Sequence, residues 1–183
     1  VLELAILGLL HESPLHGYEL RQRLKATLGS FRAFSYGSLY PSLRRMKDAG
    51  WIAEDEGDAD VVAGAPALTG RRGKVVYKLT AEGKEKFTEL LSEAGPSSWE
   101  DEQFGVHFAF FSKTDPEVRV RILEGRRSRL EERREGVRAG LARTRARLDS
   151  YTLQLQEHGL ESVDREVRWL SELIETERKN INH

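Results

Sequence analysis

Two adjacent arginines, Arg44 and Arg45, follow a run of small and hydroxyl-bearing residues at positions 35–40. Guanidinium groups can form paired hydrogen bonds with base edges, and hydroxyls and free backbone N–H groups at a helix N-terminus can bind phosphate. A second basic cluster, Arg71–Lys74, lies further along the chain in a glycine-containing segment. Both clusters have the composition of a surface that contacts nucleic acid.

The first cluster falls in a segment, residues 35–49, that is predicted to be helical. Leu39, Leu43 and Met46 are spaced i, i+4 and i+7, which predicts one buried side. The opposite, solvent-facing side is predicted to carry Gly37, Pro41, Arg44 and Arg45, with Tyr40 and Lys47 flanking them. A basic outer face of this kind favours insertion into a major groove, although an ordinary solvated amphipathic helix has the same pattern.

The ends of this helix also carry signals. Pro41 is tolerated only near a helix start, so we expect an irregular first turn around Ser35–Gly37. Either Ser35 or Ser38 can act as the N-cap, and Gly50 is expected just after the last turn.

The neighbouring elements are predicted from periodicity and breakers. In chain order they are an apolar helix at 2–10, buried in a core or against a partner chain, a helix at 16–26, strands at Trp51–Glu54 and Lys74–Leu79, and a helix from Ala81 to about Glu93 capped by Thr80. Three helices followed by a two-stranded hairpin are the order of a winged helix-turn-helix. In such a fold Arg71, Arg72 and Lys74 would lie on the wing, where they could contact the DNA backbone or minor groove, or simply form a charged loop.

The second half is predicted to be helical. Gly95–Ser98 is the expected linker between a DNA-binding domain at 1–94 and a C-terminal helical domain at 95–183. Asp115-Pro116 is expected to open one long helix to about His158, and a shorter helix is expected after Gly159. Two interleaved heptad series, Leu123, Leu130, Val137 and Leu141, Leu148, Leu155, predict coiled-coil-like packing and dimerisation.

Composition narrows the function classes. The 183 residues are 39% hydrophobic and 32% charged, which is typical of a soluble globular protein. The absence of cysteine excludes disulfides and thiolate chemistry, and the apolar run at 2–10 is too short to span a membrane, so we expect a cytoplasmic, nucleoid-associated protein. The five histidines have no metal-ligand spacing and no phosphate-binding loop or nucleophile motif is present, so neither an enzyme nor a cofactor or metal site is expected.

Charge is unevenly distributed although the net charge is only −1. Residues 1–80 contain 11 Lys/Arg and 9 Asp/Glu, and five of those acids lie within Glu54–Asp60. The remainder of this region is therefore basic, and the acids are concentrated at the base of the predicted wing.

Four motifs in order give a more specific indication. They are His16-Gly17-Tyr18-Glu19-Leu20, Ser35-Tyr36-Gly37-Ser38-Leu39-Tyr40-Pro41-Ser42-Leu43, Gly50-Trp51-Ile52, and Tyr77-Lys78-Leu79-Thr80-Ala81-Glu82-Gly83. Their order and spacing resemble those of the PadR family of bacterial transcriptional regulators. The rest of the chain resembles the C-terminal helical domain of the longer members of that family.

The resemblance implies a homodimer that binds a pseudo-palindromic operator in double-stranded DNA, usually as a repressor, and is released by a small-molecule effector. It implies DNA contacts from Tyr18, Ser35, Tyr36, Ser38, Tyr40 and Arg44, with the wing residues at the flank. Tyr18 and Tyr40 could instead lock the helices together. The predicted wing departs from the family because its loop is long and its base is acidic.

An effector site, if present, would involve aromatic residues of the second half. The candidates are Trp99, Phe104, His107, Phe108, Phe111 and Trp169. Phe104, His107, Phe108 and Phe111 are predicted to share one helical side, which fits either an apolar ligand pocket or ordinary core packing. The segment 116–148, with 11 arginines, five acids and no lysine, could hold an anionic effector or form a solvated face of ion pairs.

Two other functions remain open from sequence. One is a protein-binding adaptor that uses the long tail helix and has lost DNA binding. The other is a winged-helix regulator of another family. Binding to heparin or random DNA in low salt, lost by roughly 200–300 mM, would argue against the adaptor.

Overall fold

The computed structural model describes residues 1–28, 36–56 and 75–182. By packing, the chain divides into two units. The first comprises Val1–Glu93 and Gly105–Lys113, and the second comprises Ala94–Phe104 and Thr114–His183. The functional division predicted at 94/95 stays a prediction, whereas the return of residues 105–113 to the first unit has no counterpart in the sequence pattern.

Three helices form the body of the first unit. They are α1 (Leu2–Glu12), α2 (Gly17–Leu28) and α3 (Leu39–Asp48), and a 3-10 turn at Tyr36–Ser38 leads into α3. Helix α1 is buried from Leu4 to Leu10 because it is apolar on every side, and it packs in the core of its own chain. On α2, Leu20 and Leu24 are buried while the charged residues between them are exposed.

The sheet has three antiparallel strands, β1 (Leu15–His16), β2 (Ile52–Glu56) and β3 (Val75–Leu79), in the order β1-β3-β2. Tyr77 of the central strand β3 is paired with Leu15 of β1 on one side and with Glu54 of β2 on the other. The predicted hairpin is confirmed as β2 and β3, and β1 is an additional strand that was not predicted, because a two-residue strand is too short to show alternation. Together with α1–α3, this sheet forms the winged helix-turn-helix architecture.

Helix α4 (Ala81–Ser92) begins where the sequence predicts it. The Thr80 hydroxyl accepts a hydrogen bond from the Gly83 N–H at 3.0 Å and donates one to the Gly50 carbonyl at 2.6 Å. Segment 105–113 completes the core, since Phe110 is buried at a right angle to Phe87, 5.9 Å between ring centroids.

The second unit begins with a 3-10 turn at Pro96–Trp99. Ser98 within it is fully buried, and the Trp99 Nε1–H donates to the Ala94 carbonyl at 3.2 Å. The segment that was predicted to be a linker is thus an ordered part of this unit. Helix α5 (Asp101–Ala109) begins here and continues into the first unit, followed by a 3-10 turn at Phe111–Lys113.

A helical hairpin dominates the second unit. Helix α6 (Pro116–Thr144) is followed by a 3-10 turn at Arg145–Arg147 and by α7 (Ser150–Ile181). The single helix predicted from Pro116 to about His158 is wrong, because Asp149 caps a new helix by accepting hydrogen bonds from the N–H groups of Tyr151 and Thr152. Gly159, predicted to separate two helices, lies inside α7.

Candidate DNA-binding surface

Helix α3 buries one side and exposes the other, as its spacing predicts. Leu39, Leu43 and Met46 are almost completely buried, and Gly50, at φ +77°, ends the helix in the left-handed conformation that glycine adopts most readily. The exposed residues of this surface, here called the α3 face, are Gly37, Ser38, Tyr40, Pro41, Arg44, Arg45 and Lys47.

The cations of the α3 face differ in their partners. Arg44 is exposed and forms no hydrogen bond or ion pair with the described residues. Arg45 Nη2 lies 3.4 Å from Glu3 Oε1 on α1 and also donates to Ser42 Oγ at 3.1 Å. Lys47 Nζ donates to Glu54 Oε2 on β2 at 3.0 Å. As far as the described residues show, Arg44 is therefore the cation of α3 that needs no rearrangement before it contacts a ligand.

Two tyrosines border the α3 face and are about half exposed. Tyr18 on α2 is 39% exposed, and its hydroxyl accepts a hydrogen bond from Gln22 Nε2. Tyr40 is 46% exposed, and a Cβ at Gly17 on α2 would lie at ordinary contact distance from its hydroxyl, 3.6 Å, and its ring, 3.7 Å. Tyr40 thus combines a contact with α2 with an exposed part, whereas the hydrogen bond of Tyr18 lies within α2. The DNA contacts of both tyrosines stay predictions.

Several predicted contact residues cannot be placed. Ser35, Arg71, Arg72 and Lys74 lie outside the described residues, and so does the side chain of Tyr36. Ser38 occupies the N-cap position of α3 without a side-chain capping hydrogen bond. The DNA contacts assigned to all of these residues stay predictions.

The carboxylates of Glu3 and Glu54 are part of this surface, and sequence reasoning did not include them. Glu3 is 42 positions from its partner Arg45, so local spacing carried no signal for the pair. The acidic base of the wing was noticed in the sequence, but its pairing with Lys47 depends on how β2 lies beside α3.

The residues predicted to bind an effector separate into two groups, one in each unit. His107, Phe108 and Phe111 belong to the first unit, and the other three belong to the second. His107 is 2% exposed, its Nδ1 has no hydrogen-bond partner among the described residues, and burial lowers its pKa to about 4. The rings of Phe108 and Phe111 are tilted relative to each other, with 4.9 Å between their centroids. Phe111 lies in the 3-10 turn that follows α5, so the prediction that it shares one helical side with the other aromatic residues is wrong.

In the second unit the aromatic candidates surround Arg126. The guanidinium lies 5.2 Å from the Phe104 ring centroid and donates to the Trp99 carbonyl at 2.9 Å, to Asp101 Oδ1, and to Glu166 Oε1 at 2.9 Å. Its side chain is only 9% exposed. Trp169 meets Phe104 edge to face, at 6.4 Å between ring centroids. In this unit the aromatic residues take part in packing and in the support of a buried charge.

Many arginines of the tail pair with acids on the facing helix. Arg119 Nη1 lies 3.1 Å from Glu177, and Arg134 Nη1 lies 3.1 Å from Asp164. A cavity of about 450 Å³ in this unit is lined by Glu100, Asp101, Arg126, Arg129, Leu130, Glu132 and Arg133. Each of its arginines lies within 4.0 Å of a lining carboxylate, so the charge available to an anion is largely compensated.

Within residues 1–28, 36–56 and 75–182, no group of three or more histidine or carboxylate side chains could hold a metal ion. Over the same residues, every helix is too short or too polar to serve as a membrane span.

The family relationship follows from comparison with known proteins. Residues 6–89 match the model of the transcriptional regulator PadR-like family. The negative transcriptional regulator PadR of Bacillus subtilis (strain 168) is 31% identical over 96 residues, which are 52% of this chain and 48% of the relative. The match thus spans about half the length of this curated relative.

Solved structures of similar proteins were also found. Bacillus subtilis PadR in complex with operator DNA is 22% identical with a TM-score of 0.43, over 96% of this chain and 98% of that one. Bacillus subtilis PadR in complex with p-coumaric acid is 21% identical with a TM-score of 0.43, over 97% of this chain and 98% of that one. The PadR-like transcriptional regulator BC1756 from Bacillus cereus is 20% identical with a TM-score of 0.42, over 97% of this chain and 98% of that one.

The matched residues 6–89 lie within the first unit and include helices α2 and α3, strands β1–β3 and most of α4. They contain every residue of the four motifs quoted from the sequence. Residues 6–89 therefore form a domain that is similar to the PadR-like family of transcriptional regulators.

Proposed function

We propose that this protein is a DNA-binding transcriptional repressor that acts as a homodimer on a pseudo-palindromic operator. The α3 face carries this proposal, because it exposes Arg44 with no partner among the described residues. A helix of this size fits a major groove, and arginine is the side chain most often used for specific contact with guanine. Repression is proposed because the curated Bacillus subtilis relative is named a negative regulator. Such a protein would act in the cytoplasm, where its DNA lies.

The homodimer is supported by the far half of the α6–α7 hairpin. From residue 131 to residue 166, all of them described, no residue is buried. Tyr151 is 82% exposed and Leu155 is 67% exposed, and their i, i+4 spacing places them on the same side of α7. A second copy that covers this side would remove apolar surface from water. Light scattering at micromolar concentration should therefore give twice the mass of the chain, and a monomer would contradict the dimer.

Release by a small aromatic or anionic effector is the third part of the proposal. It rests on the match of residues 6–89 to the PadR-like family and on the aromatic residues of each unit, among which the buried His107 Nδ1 has no partner within the described residues. A thermal-shift screen of aromatic acids and other small metabolites, followed by measurement of operator release, tests it. A compound regulates only if it binds one conformation of the dimer more tightly than the other.

Arg44 provides the test of DNA recognition. The operator is first selected from a pool of random duplexes by the purified protein, and affinity is then measured by fluorescence anisotropy. Arg44→Ala should weaken operator binding by about 1–3 kcal/mol, the contribution of one good base contact. Arg121→Ala is the matched control, because Arg121 on α6 lies outside residues 131–166, is also exposed and also has no partner among the described residues.

Equal affinities for the two variants would remove Arg44 from the interface. If the wild type selects no sequence and is not retained by random DNA or heparin in low salt, DNA binding itself is contradicted. The adaptor function considered from sequence would then be the better explanation.

A further inference from the structure

The α3 face is bordered by a carboxylate on each side. On one side Glu3, from the start of α1, holds Arg45 with a separation of 3.4 Å. On the other side Glu54, from β2, holds Lys47 with a separation of 3.0 Å. The two acids come from different elements, and both side chains are 36% exposed, so they lie at the surface beside the cations they bind.

These pairs change what the α3 face presents to DNA. Cations at the edges of a helix that enters a groove are placed to contact the phosphates of the two strands. Arg45 and Lys47 can do so fully only by exchanging a carboxylate for a phosphate. A carboxylate that remains nearby also repels that phosphate, and like charges brought together at an interface oppose binding.

We propose that Glu3 and Glu54 weaken the sequence-independent attraction of the α3 face for DNA by competing with phosphate for Arg45 and Lys47. This inference rests on the proposed DNA-binding function and refines it. Arg44, which has no partner among the described residues, remains available for base contact, while the backbone contacts on either side are restrained. A regulator that must find one site among a large excess of other sequences gains discrimination when its general attraction to DNA is low.

Glutamine variants test the competition because they remove the charge and keep nearly the same shape. Glu3→Gln and Glu54→Gln should each raise the affinity for a random-sequence duplex by about two- to fivefold for each protomer that contacts the DNA, which is the range expected from release of one exposed ion pair. Each should also steepen the plot of log affinity against log salt by about 0.9 per contacting protomer, the value for one additional phosphate contact. The double variant should combine both effects.

Glu12→Gln is the matched control. Glu12 is an acid of the same unit that also pairs with cations, Arg23 at 3.9 Å and Lys113 at 4.0 Å, but neither belongs to the α3 face. This variant has the same change in net charge, so it measures the effect of charge alone. It should change affinity by less than about twofold and leave the salt dependence unaltered, and circular dichroism should show that all three variants are folded.

The outcomes separate this inference from the function on which it rests. If the wild type binds random duplex in low salt and all three variants behave alike, competition by Glu3 and Glu54 is wrong while DNA binding stands. If the wild type does not bind duplex DNA even in low salt, the proposed function fails and the inference fails with it. A rise in affinity confined to Glu3→Gln and Glu54→Gln, with the steeper salt dependence, supports the inference.

Discussion

The first unit and the α6–α7 hairpin differ in what fills the space between their elements. In the first unit, apolar side chains from α1, α2, α3, α4 and segment 105–113 form one core, and Gly8 lies so close to Phe110 that a Cβ would be 2.3 Å from the ring. In the hairpin, buried leucines are confined to the half near its open end, and the remainder is crossed by ion pairs such as Arg145–Glu157 at 3.0 Å.

This difference indicates where each region obtains its stability. Close apolar packing is strong and depends on shape, whereas each solvent-exposed ion pair contributes about 0–1 kcal/mol and is weakened by salt. The far half of the hairpin is therefore expected to depend on an additional surface, such as the second copy proposed above. The first unit can be stable from its own core.

The largest expected effect comes from Gly83→Ala in the first unit. A Cβ at Gly83 would lie 2.0 Å from the Trp51 carbonyl oxygen, which accepts a hydrogen bond from the Thr80 N–H at 3.1 Å. Because the obstacle is backbone, α4 must move away from the sheet, and we expect a loss of more than about 3 kcal/mol in the free energy of unfolding. Chemical denaturation followed by circular dichroism measures it.

Gly159→Ala in the second unit is the contrasting control. Gly159 is exposed inside α7, and a Cβ there would meet nothing within 4 Å. Alanine should therefore stabilise this helix by about 0.5–1 kcal/mol, because it has the higher helix propensity. If Gly83→Ala and Gly159→Ala changed the free energy of unfolding in the same direction and by the same amount, the proposed difference in packing between the two regions would be contradicted.

A smaller effect is expected from the response of the first unit to acid. Burial lowers the pKa of His107 to about 4 in the folded chain, whereas an unfolded histidine has a pKa near 6.5. As the pH falls from 6.5 to 4, the unfolded chain takes up a proton that the folded chain does not, so stability falls over this window. The loss is at most about 3 kcal/mol, since one pKa unit corresponds to about 1.4 kcal/mol.

His107→Leu should remove this part of the pH dependence, and His158→Leu, which replaces an exposed histidine of α7, is the matched control. Trp51 is the tryptophan of the first unit, so its fluorescence in a background with Trp99→Phe and Trp169→Phe follows that unit alone. Identical pH profiles for His107→Leu and the wild type would show that the burial of His107 does not govern the acid response.

The smallest effects are expected among the charges of the second unit, and they should depend on burial. Arg126→Met removes hydrogen bonds to Trp99 and two carboxylates from a side chain that is 9% exposed, so we expect a loss of about 2 kcal/mol. Arg138→Met removes exposed pairs with Glu135 and Asp164 and should cost less than about 0.5 kcal/mol. Thermal unfolding in low and high salt measures both, and equal losses would contradict the comparison.

The candidate site was predictable where a single helix determines it. The spacing of Leu39, Leu43 and Met46 sets which side of α3 is buried, and therefore which residues are exposed, without reference to the rest of the chain. The pairing of Arg45 with Glu3 and of Lys47 with Glu54 was not predictable, because each pair joins elements whose relative positions depend on the whole core. The sequence also could not show that Arg45, and not Arg44, has an ion-pair partner among the described residues.

The helices and strands of the first unit apart from β1, the cap at Thr80 and the glycine at position 50 follow from local physics, and residues close together in sequence were enough to predict them. The turn at Asp149, the strand at Leu15–His16 and the return of segment 105–113 were decided by tertiary structure. Long-range packing selects among local conformations of similar energy. A heptad pattern that continues through residues 141–155 therefore does not by itself make these residues one continuous helix.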